Sequence, residues 1–320
     1  MAQSAGVKMK RIGWWHFELM VPTEWDIAAQ GGARSVQVFR LADSTYSIRL
    51  EVSLEKVPFE KAKSAEELLN AYRKNWEKKI EELKKKEGIE AELKHVSKDE
   101  VSVRGHRIIL WAFRLGGAPM MAAVWYCEKS ERAVSLTFTP RSGGDEGLFR
   151  SILDTVKCHY DSPSERALWS TLLFDLYLPQ AYQLAAAKFA STATYCLFTD
   201  SDQERYLLAG YSGLASFALG RYRKGPREWF EKEILKDAIK NFRQQPPKVK
   251  FIQESESVIT FSGERFALTR KGKRVFLGRV WHDRKIDRIL AAAVLYPALS
   301  GEEAKNALND LVVQLSGREI

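Results

Sequence analysis

The chain repeats itself, and that limits its possible folds more than any other feature. "FELMVP" at Phe17–Pro22 returns as "FDLYLP" at Phe174–Pro179. "VWYCEKSERAVSLTFTP" (Val124–Pro140) returns as "VWHDRKIDRILAAAVLYP" (Val280–Pro297) with one residue inserted. Between these anchors each half carries the pattern of one long helix, and after them that of a second. Four features in the same order imply a tandem duplication. The stretch "YDSPSER", Tyr160–Arg166, sets Pro163 among polar neighbours and suits a linker. Residues 1–160 and 161–320 are therefore expected to form two domains, for which 320 residues suffice.

The pattern is clearest in the first half. Phe17, Leu19 and Val21 alternate with Glu18 and Met20, and "YSIRLEVSL" alternates likewise, as half-buried strands do. Ser64 and Glu67 make a capping box. The helix it opens is expected to run to Gly88, burying Leu68, Leu69, Tyr72, Trp76, Ile80 and Leu83. Its dense charge, with Glu81–Lys85 and Glu82–Lys86 four residues apart, reads as a solvated face. Strand-like runs follow, then an amphipathic segment through Leu148, Ile152, Leu153 and Val156. In the second half Pro226 suits a first helical position, with Trp229, Phe230, Ile234 and Phe242 on the buried side and Pro246–Pro247 as a stop. "SVITFSG", "RFALTR", "RVFLGRVWHD" and "RILAAAVLY" are expected strands, and Ser300 with Glu303 a second capping box. Trp14 and Trp15, if in a strand, would point to opposite faces, with one exposed unless a helix covers that side.

Hairpin-joined strands with two helices per half predict an α+β fold: two tandem antiparallel β-sheets flanked by helices. The early F-x-L-x-x-P strand, the long helix, the run of antiparallel strands and the closing helix resemble the PsbP-like family. That family includes the extrinsic protein of photosystem II and a Ran nucleotide-release factor. The resemblance implies an α/β/α sandwich in each half, and binding or assembly work in place of catalysis.

Composition narrows the class. The hydrophobic fraction is 45%, enough for a sizeable core. Fifty Lys plus Arg against 41 Asp plus Glu give +9, which favours anionic partners. Residues 1–160 hold 26 against 22 (+4) and residues 161–320 hold 24 against 19 (+5), so both halves are mildly basic. Scarce Asn and 28% charged residues fit a thermophile. "MAQSAGVKMKR" lacks an apolar core, and "ILAAAVLYPAL" is short and broken by Pro297, so a cytoplasmic protein with no membrane partner is expected.

Catalytic motifs are missing from the sequence. Cys127, Cys158 and Cys196 are widely spaced without C-x-x-C, and the five histidines are scattered. Cys158 and His159 are adjacent and would not share a point on a regular helix, so no metal or cofactor is expected. "GYSGLASFALG" (Gly210–Gly220) has Leu214 where a nucleophile elbow needs glycine, and reads as a strand turn. "SGGDEG" is a turn with Asp145 as N-cap of the next helix. A non-enzymatic protein without a small-molecule substrate is expected.

Two acid-free cation clusters remain. Arg270, Lys271, Lys273 and Arg274 surround Gly272 at the expected tip of a hairpin, where the matching "RLGGAPMM" carries only Arg114. Arg221, Arg223, Lys224 and Arg227 surround Tyr222, which is expected to stack on a base. Such loops suit folded RNA. Two linked basic modules can engage two sites at once. The expected partners are ribosomal RNA and ribosomal proteins, in a role such as translation inhibition or ribosome hibernation. The alternative is a protein-interaction adaptor of the PsbP-like kind.

Overall fold

A computed structural model describes residues 7–33, 35–88, 90–141, 145–222, 225–242, 248–255, 257–265 and 273–316. The chain divides into two compact units, Met1–Ser162 and Pro163–Ile320. The expected strand 265–270 and the stop at Pro246–Pro247 fall mostly outside the described residues.

Unit 1 opens with a hairpin, β1 (Met9–Trp14) and β2 (Phe17–Pro22). Three strands follow: β3 (Asp26–Ala33), β4 (Val36–Ala42) and β5 (Ile48–Lys56). After a 3-10 turn at Phe59–Lys61 comes helix α1 (Ala65–Glu87). Then come β6 (Leu93–Val103), β7 (His106–Leu115), β8 (Ala118–Cys127), β9 (Arg132–Phe138) and helix α2 (Glu146–Asp154). The seven-stranded sheet has the order β3-β4-β5-β9-β8-β7-β6, antiparallel throughout. Helix α1 thus carries the chain from the sheet's centre to its far edge.

Unit 2 repeats the plan. Its hairpin is β10 (Arg166–Ser170) and β11 (Asp175–Pro179). Strands β12 (Gln183–Phe189), β13 (Ala193–Thr199) and β14 (Tyr206–Ser212) lead to helix α3 (Ala215–Arg221). A helical run follows: α4 (Pro226–Trp229), a π-helical turn at Phe230–Leu235, α5 (Lys236–Ala238) and a 3-10 turn to Asn241. Strands β15 (Lys250–Ser255), β16 (Val258–Arg265), β17 (Arg274–Asp283) and β18 (Arg288–Pro297) precede helix α6 (Gly301–Ser316). The sheet order is β12-β13-β14-β18-β17-β16-β15, the same topology as in unit 1.

Each sheet is covered on both faces. In unit 1, Leu69 of α1 packs with Ile109, Trp111, Phe113, Ala122 and Val124. On the other face Phe17 of the hairpin lies 6.5 Å from Trp125, and Phe149 of α2 stacks on Phe138 at 5.1 Å. A stacked buried pair contributes about 1 kcal/mol beyond its area. In unit 2, Trp229, Phe230 and Ile234 bury against Tyr195, Phe261 and Val280. Opposite them Trp169 of the hairpin meets Phe198 at 4.9 Å, and α6 lies along β18. The fold is α+β, an α/β/α arrangement made twice, each hairpin joining the second helix in its layer.

The capping box of α1 is present: the Glu67 amide donates to Ser64 Oγ and the Ser64 amide to Glu67 Oε2. Gly88 ends the helix with φ 67°, the left-handed region glycine enters without steric cost. The helix spans about 35 Å. Its first half packs, but Leu83 near its end is exposed, contrary to the apolar spacing. The matching run of unit 2 is not one regular helix. Its π-helical turn widens the helix and lets Trp229, Phe230, Ile234 and Leu235 all face inward.

Two further expectations are corrected. Trp15 is in the β1–β2 turn, with φ 53°, and both Trp14 and Trp15 are buried. "GYSGLASFALG" is the end of β14 running into α3, so it is a strand-to-helix turn. Its Ser212 is buried, and the hydroxyl accepts from the Ile289 amide at 2.8 Å, a structural role.

All four edge strands carry one extra residue relative to their neighbours. The ladder shifts between Ile27 and Ala29 in β3, and between His95 and Ser97 in β6. It shifts likewise between Leu184 and Ala186 in β12, and between Gln253 and Ser255 in β15. Each is a β-bulge, which bends and twists its strand.

Candidate functional site

The cationic hairpin is built by β16 and β17, whose ladder closes at Arg265 opposite Arg274. Arg270 and Lys271 lie outside the described residues. Lys273 is half-buried, and its carbonyl accepts from the Ala298 amide at 3.0 Å. Arg274 is not an exposed tip residue: it is 4% exposed and its Nη2 lies 3.9 Å from Glu204 Oε1. The reason is register. β17 runs between β16 and β18, and residue 274 already pairs with Arg265 and Pro297, so it belongs to the ladder.

The second cluster changes too. Tyr222 is 6% exposed, and its hydroxyl donates to Glu233 Oε1, so its ring presents no free face to a base. Burial, then the Glu233 carboxylate, pushes its pKa up to about 12. Arg227 sits 3.4 Å from Glu231 Oε1, and its guanidinium lies 4.4 Å above the Phe251 ring. The i,i+4 spacing to Glu231 was the available signal. Arg223 and Lys224 lie outside the described residues. Arg221 remains exposed at the end of α3, its guanidinium 5.6 Å from the Tyr222 ring centre.

Asp145 stands at the start of α2, but its carboxylate accepts from Arg49 Nη2 at 2.9 Å and not from the helix. Beside it, buried Asp43 accepts from Arg141 Nε at 2.9 Å and from Thr45 and Ser47.

The structure assembles a group that spacing concealed. His106 begins β7, and Cys127 ends β8. Extending the pairing of Ile109 with Val124 by three residues sets His106 across from Cys127. After α2, Lys157 bridges to Glu18, and the chain then bends past that sheet corner, bringing Cys158 and His159. The four ligand-type atoms all lie within 4.8 Å of one another. Cys158 Sγ is 3.0 Å from His106 Nε2, and His159 Nδ1 is 3.4 Å from Cys127 Sγ and 3.5 Å from Cys158 Sγ. The expectation that Cys158 and His159 cannot meet one point fails because they lie beyond the helix, at a bend. Both cysteines are buried and free of disulfide. The Cys158 hydrogen bond lowers the Cys127 pKa, and the same bond with burial raises that of Cys158.

One exposed feature recurs in both units. In the connection from the third sheet strand to the long helical run, unit 1 presents Phe59 (59% exposed) and unit 2 presents Phe217 (69% exposed). Leu214 is exposed beside Phe217. Among the described residues no helix is long and apolar enough to cross a membrane.

No family model matches the chain. No curated protein matches it. Solved structures do. The cyanobacterial PsbP of Synechocystis sp. PCC 6803 is 15% identical, with TM-score 0.35, over 49% of this chain and 96% of that one. The Saccharomyces cerevisiae Ran-binding protein Mog1p is 12% identical, with TM-score 0.25, over 45% of this chain and 86% of that one. A Bacteroides thetaiotaomicron protein is 11% identical, with TM-score 0.27, over 49% of this chain and 50% of that one. Each of these matches covers about half of this chain.

Proposed function

We propose that this chain is a non-enzymatic binding protein whose two units dock a protein partner through the connections that lead into their long helical runs. The observation that carries this reading is the recurrence of Phe59 and Phe217. A single exposed phenylalanine is ordinary on a protein surface. The same exposure at the same topological place in two repeats with unlike local sequences is a shared surface property. Aromatic side chains are enriched where protein interfaces bury most deeply.

A second reading, RNA binding at a ribosomal surface in an occluding or hibernation-type role, has its own support. The chain carries +9, and Arg221 stays exposed close to Phe217 on α3. Its weaker point is Tyr222 and Arg274, which are buried.

A photo-cross-linking residue placed at position 59 or 217 of the full chain separates the two in cell lysate. Protein adducts that survive ribonuclease and high salt are the expected result. Adducts lost with ribonuclease, together with ribosomal comigration that weakens steeply with salt, would transfer the case to RNA. No adduct at either position would overturn docking through these connections.

A further inference from the structure

We propose that His106, Cys127, Cys158 and His159 form a tetrahedral zinc site at the end of unit 1. Zinc binds thiolate sulfur at about 2.3 Å and imidazole nitrogen at about 2.0 Å, so tetrahedral ligand atoms stand roughly 3.3–3.8 Å apart. The separations of 3.0, 3.4 and 3.5 Å seen here lie at or close to that range before any ion draws the side chains in. Two sulfurs and two imidazoles select zinc over magnesium or calcium, which take oxygen.

The surroundings fit a ligand set. His159 turns Nδ1 toward both cysteines, while its Nε2 lies 3.4 Å from Asp161 Oδ1. That carboxylate is in turn held by Lys129 Nζ at 2.7 Å. A ligating histidine characteristically gives its second nitrogen to such a partner, which fixes the tautomer. Arg132, directly across the β8–β9 ladder from Cys127, is 6% exposed. Its Nε and Nη1 have no hydrogen-bond partner among the described residues, and its guanidinium lies 4.6 Å from the Trp15 ring. Bound to zinc as thiolates, the two cysteines would set negative charge against this buried cation.

The site is no part of the repeated fold. At the matching corner of unit 2, Asp283 stands opposite Arg288 where unit 1 has Cys127 opposite Arg132. What it adds is local. It would join residues 158 and 159, the last turn of chain before Ser162–Pro163, to the corner of β7 and β8. A zinc ion here sets how the chain leaves unit 1.

The test uses the full chain, purified reduced, stripped with chelator and titrated with zinc alone. One zinc per chain by native mass spectrometry is expected, and cobalt is expected to give the visible bands of tetrahedral thiolate coordination. Cys127→Ser with Cys158→Ser is expected to abolish both, while Cys196→Ser, in the core of unit 2, keeps them. Asp161→Asn is expected to weaken zinc affinity about 10- to 100-fold without changing stoichiometry. If the double serine variant fails to fold, His159→Ala with its cobalt spectrum supplies the readout. No zinc uptake by the reduced chain overturns the proposal. So does zinc retained after both cysteines are replaced, or a Cys127–Cys158 disulfide that forms whether or not zinc is present.

Discussion

Phe261 lies directly across the β16–β17 ladder from Gly278, and its ring fills the space where a Cβ on residue 278 would stand, with Cζ 2.1 Å from that position. The ring cannot swing clear, because Phe230, Phe251 and Phe276 surround it at 5.2–5.3 Å. Gly278→Ala is therefore expected to destabilise unit 2 by about 1–3 kcal/mol, the usual cost of overpacking a core. Unit 1 solves the same position with Trp111 across from Ala122. Urea unfolding of the Gly278→Ala chain measures the loss, and an unchanged midpoint would show that the ring moves freely.

Asp43 predicts the acid response of unit 1. Burial pushes its carboxyl up, but hydrogen bonds from Thr45, Arg141 and Ser47 outweigh it and hold the pKa at about 2, below the ordinary 3.8. A carboxyl depressed in the folded state stabilises the fold fully above its unfolded pKa. That contribution fades as pH falls from about 4 through about 2. Asp43→Asn is expected to cost roughly 3 kcal/mol at neutral pH, because it leaves buried Arg49 short of a partner. Its melting temperature is also expected to vary less between pH 5 and pH 2 than that of the parent chain.

The buried phenol of unit 2 gives a sharper separation. Tyr222→Phe removes only the hydrogen bond to Glu233 and is expected to lower stability by about 1–2 kcal/mol. RNA affinity, if the chain has any, is expected to stay unchanged, since no base can reach the ring. A fall in affinity with unchanged stability would restore Tyr222 to a stacking role.

Neighbouring cations on the β16–β17 hairpin are expected to part ways. Arg274→Ala strips a buried side chain from the ladder and is expected to cost about 1–2 kcal/mol. Lys273→Ala, at a half-buried position outside the strand, is expected to cost less than about 0.5 kcal/mol. Thermal unfolding of the two single variants checks this ordering.

What the sequence disclosed was local or periodic. The capping box at Ser64 and Glu67 and the left-handed Gly88 are set by neighbours a few residues away, so they could be read directly. The repeat showed because both units keep the same hairpin and the same β8–β9 and β17–β18 pairs. The Cys/His group did not show, because His106, Cys127 and Cys158 come from three separate segments that only the sheet register unites. Tyr222 and Arg274 were misread because acid-free runs look exposed when their acidic partners, Glu233 and Glu204, lie elsewhere in the chain. The overhang of α1 was hidden for another reason: helical spacing marks a face but not how far the sheet beneath it extends.

The bulged edges have a consequence for a chain that carries its own near-copy. Two sister repeats on one short tether meet at millimolar local concentration. Their matching topologies would otherwise invite one sheet to extend the other, or to exchange strands during synthesis. An extra residue in each of β3, β6, β12 and β15 breaks the straight hydrogen-bonding rim that such misassembly needs. The duplication is tolerated because every border of both sheets resists being templated.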